Sequence, residues 1–238
     1  MSGQVRHHRP IRKLVGRTLP LAALLALIAT FALTLQVRQV RVSGTRRFPA
    51  RDVENVLRTA LGSPTITTRA GTLRARVRAV PWVDDATVRV SLDGVVTCAV
   101  VERVPVAVAV DAGVRWLVDR EGRLLTTVES VSSLLLLTGF APFPEERETL
   151  LAVVPALEQA WGGKLEHAER VGPHDVALHF ADGSPTVLAD PDQPEELAGA
   201  RRVLAAWTAR QTVPLRLDAR VPGRVAVLPA SIPPEEEE

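Results

Sequence analysis

One cysteine, Cys98, is all the sequence holds, which leaves neither an internal disulfide nor a cysteine-built zinc site open to it. Lysine is nearly missing too. Arginine outnumbers it 27 to 2, a coding bias rather than a mark of nucleic-acid binding. The common catalytic signatures are absent. There is no Gly-x-Ser-x-Gly, no Gly-x-Gly-x-x-Gly and no Walker loop; Gly162-Gly163-Lys164 lacks both the leading Gly and the trailing Ser/Thr. The arginine-rich stretch 69–78 has no aromatic residues interleaved, so it reads as a solvated helix face, or one near anionic lipid headgroups.

Against these absences stand 238 residues that are 46% apolar, enough for a packed core and for one or two domains. The net charge of +2 conceals an asymmetry. Residues 1–17 carry five basic and no acidic residues, residues 38–103 twelve Arg against six acids, and residues 104–238 twelve basic against twenty-one acidic ones.

Residues 18–37 are free of charge and include LPLAALLALIATFALTL. Twenty helical residues reach roughly 30 Å, the hydrocarbon thickness of a bilayer. A removable signal peptide has a shorter apolar region and a small-x-small cleavage site; the run here is longer, and only Ala32-x-Thr34 approaches such a site. An uncleaved transmembrane helix is therefore expected. Arg6, Arg9, Arg12, Lys13 and Arg17 precede it, and Arg38, Arg41, Arg46, Arg47 and Arg51 follow, so the positive-inside count is a tie. The acid-free short tail, and the ease with which long domains translocate, favour a cytoplasmic N-terminus with the rest outside.

Past this run, Val40–Val42 predict a short strand. Val53, Val56, Leu57, Ala60 and Leu61 mark one face of a helix over 50–61, and a second helix fits 71–80. The period then becomes two: Val88, Val90 and Leu92 alternate with polar residues, Asp93-Gly94 makes a hairpin turn, and 95–102 returns. The order is β-α-α-β-β. Strands are expected at 106–110, 114–118, 134–137, 166–171, 176–180 and 186–188, with helices over 145–161 and 195–210. The last element is a strand over 215–228 broken at Pro222-Gly223. Residues 231–238 (SIPPEEEE) should form a disordered, solvated acidic tail.

Candidate chemistry is sparse. His174 and His179 have odd spacing and would face opposite sides of a strand, so a turn or surface role is expected for the histidines rather than a metal site. Asp84-Asp85 are adjacent carboxylates, which seldom converge, and suit a turn or helix flank. Cys98 suits a small core position, and Glu102-Arg103 an ion pair or a clamp at a domain junction. No catalytic residue, metal or cofactor is assigned.

Five segments resemble the FtsQ/DivIB family of bacterial cell-division proteins, which carry a polypeptide-transport-associated (POTRA) domain behind one membrane span. They are Val40-Arg41-Val42-Ser43-Gly44, the stretch from Val80-Pro81-Trp82 to Val88, Glu102-Arg103-Val104-Pro105-Val106-Ala107, Leu117-Val118-Asp119-Arg120-Glu121-Gly122 and Leu217-Asp218-Ala219-Arg220. The family's "D-L-R" stands here as Asp218-Ala219-Arg220, and Pro222 shortens the last strand. The resemblance implies an α+β chain: a basic cytoplasmic tail (1–17), a transmembrane helix (18–37), a small β-α-α-β-β POTRA domain (38–105), a larger, mostly antiparallel β-domain with two helices (106–230) and the acidic tail (231–238). It implies a non-enzymatic division scaffold at the septum. Its partners would be small single-span coiled-coil proteins of the FtsB and FtsL types, and through them the septal peptidoglycan synthase complex. The contact carried over falls on the final strand: Arg220, Val221, Arg224, Val225, Ala226 and Val227. Arg220 and Arg224 would meet acids on the partner, and a recruitment surface would use Val40, Arg41 and Val42. Two other readings fit the sequence: a POTRA-type chaperone of envelope protein export, which would normally have tandem copies or a following barrel, and an anchored envelope enzyme.

Overall fold

The computed structural model describes residues 23, 24, 26–28, 30, 35–130, 133–210 and 214–229. Most of the expected membrane span, and the basic and acidic tails, lie outside them. Among the described residues no helix is long and apolar enough to cross a membrane. The chain divides into two compact units between Glu102 and Arg103.

The first unit holds β1 (Gln39–Ser43), α1 (Ala50–Arg58), α2 (Ala70–Arg78), β2 (Val83–Val90) and β3 (Val95–Glu102). Its sheet runs β1-β3-β2, with β1 parallel and β2 antiparallel to β3. Period-two valines turn Val96, Cys98 and Val100 to one face, against Val53 and Leu57 of α1 and Leu73 and Val77 of α2. Each such aliphatic side chain removed from water contributes about 1.5–3 kcal/mol. Cys98 is a buried free thiol, and burial pushes its pKa up. Gly44 leaves β1 with φ +93°, and a side chain there would stand 2.2 Å from the Val100 carbonyl, so only glycine serves.

The expected span ended at Val37, but the structure assigns its last residues to this unit. Val37 is 2% exposed in the core, its N–H donates to the Ser63 carbonyl at 2.9 Å, and Gln36 bridges to Pro64. An apolar residue leading into a strand carries no mark that separates it from the end of an apolar span.

The second unit holds β4 (Pro105–Asp111), β5 (Val114–Asp119), β6 (Leu124–Thr127), β7 (Leu135–Thr138), α3 (Pro144–Trp161), β8 (Leu165–Arg170), β9 (Val176–Phe180), β10 (Thr186–Ala189), α4 (Glu196–Thr208), β11 (Pro214–Val221) and β12 (Arg224–Pro229). All nine strands form one sheet in the order β12-β11-β10-β9-β8-β7-β4-β5-β6. Five pairings are antiparallel; β4–β7, β7–β8 and β10–β11 are parallel. The mixed character follows from α3 and α4, the crossovers of β7–β8 and β10–β11, and from β5 and β6, which connect β4 to β7. Leu150, Leu157 and Trp161 of α3, and Leu197, Ala200 and Leu204 of α4, share one core with Leu137, Leu178, Val187 and Leu217.

Candidate protein interface at the last strand

The sequence-predicted contact lies on β11 and β12. Pro222 and Gly223 close this hairpin, Gly223 with φ +69°. The turn is held from outside: the Gly223 amide donates to Glu196 Oε2 at the start of α4, at 2.9 Å. Antiparallel register sets Leu217 opposite Val227, Asp218 opposite Ala226 and Arg216 opposite Leu228. β12 is the end strand of the sheet, hydrogen-bonded to β11 on one side, so its other edge presents backbone N–H and C=O groups outward.

Period-two alternation divides the side chains of β12. Val225 and Val227 are half-buried and pack on the core, and Val225 lies beside Gly199 of α4. Arg224, Ala226 and Leu228 are exposed on the other face, next to exposed Arg216. Leu215, near an irregularity in the β11–β12 register, is 61% exposed, and Val221 56%. The edge therefore carries aliphatic side chains and two arginines. A cross-strand neighbour able to extend the sheet would satisfy the backbone groups and meet both.

Arg220 does not stand free as the sequence reading supposed. It donates to both carboxylate oxygens of Asp218 and to Asp175 Oδ2 at 3.1 Å. The Arg220 hydrogen bond holds the Asp218 carboxyl below its ordinary range, and the two acids together raise the Arg220 pKa. Its charge is spent inside the unit, where it ties β11 to the residue before β9. Spacing alone could not separate an inward-paired arginine from Arg224, which forms no ion pair among the described residues.

The second predicted surface, on β1, is also an edge, since among the described residues β1 pairs with β3 alone. Val40 and Val42 pack on the core, while Arg41 is exposed and donates to the Gln39 side chain at 3.1 Å. At the other end of the large sheet, β6 is an edge of four residues.

The remaining candidates are structural. Asp85 takes hydrogen bonds from Arg74 at 2.8 and 3.0 Å and lies 3.7 Å from Arg78, and the Arg74 bond lowers its pKa. Burial works against the Glu102 carboxylate, but the amides of Arg46, Arg47 and Phe48 outweigh it and hold its pKa below the usual value. Arg103 pairs in the second unit with Asp119 and Glu121, each at 2.7 Å. The histidines hold a contact the spacing did not reveal: His167 and His179, opposite in the β8–β9 register, stack with ring centres 4.9 Å apart. Burial, followed by the charge of His179, lowers the His167 pKa. Among the described residues no three His, Cys, Asp or Glu are grouped to hold a metal ion.

The first unit has counterparts among known proteins. Residues 35–103 match the family model of the FtsQ-type POTRA domain. The chain is 27% identical over 180 residues to the cell division protein FtsQ of Mycolicibacterium smegmatis, across 75% of this chain and 54% of the relative. It is 26% identical over 209 residues to FtsQ of Caulobacter vibrioides, across 82% of this chain and 64% of the relative. The chain thus spans between half and two thirds of these relatives. A solved structure, the major extracytoplasmic domain of the cell division protein DivIB from Geobacillus stearothermophilus, matches at 21% identity and a TM-score of 0.32, across 46% of this chain and 97% of that one. Residues 35–103 thus carry a POTRA domain of the FtsQ type, and the chain is similar over most of its length to FtsQ cell-division proteins.

Proposed function

We propose that the protein is a membrane-anchored, non-enzymatic scaffold of the bacterial division machinery, and that it works by letting a partner segment extend its large sheet at β12. The observation that carries this reading is the place of β12: a strand paired on one side, with Ala226 and Leu228 exposed beside the open edge. An unprotected edge of this kind invites aggregation unless something covers it. The FtsQ relatives named above support division as the setting.

The partners on this reading are small single-span coiled-coil division proteins of the FtsB and FtsL types. Through them the scaffold recruits and controls the septal peptidoglycan synthase complex. The residues at the contact are Val221, Arg224, Val225, Ala226 and Val227, with Arg220 holding the hairpin in place rather than reaching outward. Arg224 and Arg216 favour acidic residues on the partner, which fix register and speed association more than they add affinity. Val40, Arg41 and Val42 on the β1 edge offer a second surface, for recruitment.

The anchor on this reading is the uncharged run 18–34, which if helical reaches roughly 26 Å, the short end of what crosses a bilayer. The N-terminus stays in the cytoplasm, the folded units stand outside, and the protein gathers at the septum.

Affinity capture of the full chain from membranes tests the proposal. Small coiled-coil membrane proteins should come with the wild type and be lost with Ala226→Asp. Capture unaffected by that charge would move the contact away from β12.

A further inference from the structure

Three segments meet where the chain enters the first unit. The Val37 N–H donates to Ser63 and the Val37 carbonyl accepts from Gly62, both at 2.9 Å, while the Thr65 N–H donates to the Leu35 carbonyl at 2.8 Å. On the other flank the Arg38 N–H donates to the Gly94 carbonyl at 2.7 Å. Residues 35–38 are thus clasped between the α1–α2 loop and the β2–β3 turn.

Both clasping segments carry large aliphatic side chains in solvent: Leu61 is 42% exposed, Ile66 65% and Leu92 67%. All three flank the clasped segment 35–38, so exposed apolar side chains gather at this end of the unit. Charge at this end is mainly basic. Asp84, Asp85 and Glu102 sit at the start of β2 and the end of β3, the opposite end of those elements. The acid near the clasp, Asp93, accepts a hydrogen bond from the Val95 amide in its own turn. Arg69 and Arg76, by contrast, line an open groove of about 310 Å³ beside the α1–α2 loop, together with Thr67, Thr68 and Thr72. Arg74 and Arg78 belong to the other side of α2, where Asp85 holds them.

We propose that this end of the first unit is a lipid-docking face: Leu61, Ile66 and Leu92 enter the boundary between headgroups and acyl chains of an anionic bilayer, and Arg69 and Arg76 bind the phosphates above them. The inference rests on reading 18–34 as the membrane anchor. If that run leaves the bilayer at residue 34, the next residue is bonded to Thr65, and Ile66 has nowhere to be except the interface. Aliphatic insertion and arginine–phosphate attraction reinforce each other there, as they do on interfacial helices. The consequence is mechanical. The unit is seated on the membrane rather than swinging on a tether, which fixes the direction in which the β1 edge faces.

The test uses the full chain reconstituted into vesicles of phosphatidylcholine and phosphatidylglycerol. In a Cys98→Ala background, an environment-sensitive fluorophore is placed on Ile66→Cys, on Leu92→Cys or, as a reference at the far end of β3 in the same unit, on the exposed Val101→Cys, and nitroxide-bearing lipids serve as quenchers. The labels at 66 and 92 should be blue-shifted and quenched at least twofold more than the label at 101, and Arg69→Glu should remove most of that difference at 66. A chain that floats with the vesicles while 66 and 92 are quenched no more than 101 overturns the docking face and leaves the anchor standing. A chain that does not float with the vesicles overturns both.

Discussion

The Gly223 amide and the Glu196 carboxylate are joined at 2.9 Å, and through that bond the first turn of α4 holds the turn between β11 and β12. The relationship matters because β12 pairs with one strand among the described residues, so this bond joins the half-buried Val225 and Val227 and the pairing of Arg220 with Asp218 and Asp175 in keeping the hairpin tip in place.

Glu196→Ala should therefore loosen the edge without unfolding the unit. A hydrogen bond to a charged acceptor contributes about 1.5–3 kcal/mol net, and exposure puts this one at or below the lower figure. Hydrogen exchange should quicken in peptides covering 214–229 while those covering β7 and β8 stay unchanged. Equal quickening everywhere would mean that Glu196 acts on the whole fold.

The two faces of β12 should respond differently to charge. Val225 packs beside Gly199, so Val225→Lys buries an unpaired ammonium stem and should cost about 1–3 kcal/mol of stability. Ala226 is exposed but stands opposite Asp218, so Ala226→Asp should cost about 0.5–1 kcal/mol through like-charge repulsion, less than Val225→Lys. Chemical denaturation of both variants checks the pair, and the second leaves the fold the more intact for a binding measurement.

Arg103 and Asp119 form an ion pair with side chains 6% and 4% exposed. Removing one partner of such a pair strands the other, at a cost of about 3–5 kcal/mol. Arg103→Met should fall near the lower figure, because Asp119 still accepts the amides of Glu121 and Arg123. A midpoint of denaturation unchanged from wild type would contradict this.

Asp182 supplies a pH prediction. Burial pushes its pKa up, but hydrogen bonds from Ser184, Arg201 and Trp161 outweigh that and bring it down to about 2 from an ordinary 3.8. A carboxyl depressed in the folded state contributes stability that is whole above the unfolded value and disappears as pH falls through the folded one. Asp182→Asn should thus destabilise the unit at pH 6, and the gap to wild type should close between about pH 4 and pH 2. A gap that persists unchanged at pH 2 would show that the asparagine harms packing instead.

Much of this fold is written locally. The valines of β3 alternate behind an Asp-Gly turn, and β9 is bounded by polar turns, so both strands have the limits their patterns predict. β6 was not anticipated, because Leu124-Leu125-Thr126-Thr127 does not alternate. The parallel pairings escaped for another reason: which distant strand lies beside which is set by long connections, through helices for β7–β8 and β10–β11 and through β5 and β6 for β4–β7, and not by any short pattern. The same limit hid the His167–His179 stack, which depends on cross-strand register, and the inward pairing of Arg220, which depends on Asp175 being brought close from 45 residues away. The candidate interface was legible as a strand; its standing at the margin of the sheet is a property of the whole topology.

The most direct measurement is amide hydrogen exchange of the full chain, alone and in the complex captured from membranes. The account predicts that exchange over 224–229 slows at least tenfold in the complex, as outward-facing amides of β12 acquire partners, with smaller changes over the four residues of β6. Exchange over 224–229 that is the same in the free chain and in the complex would contradict it.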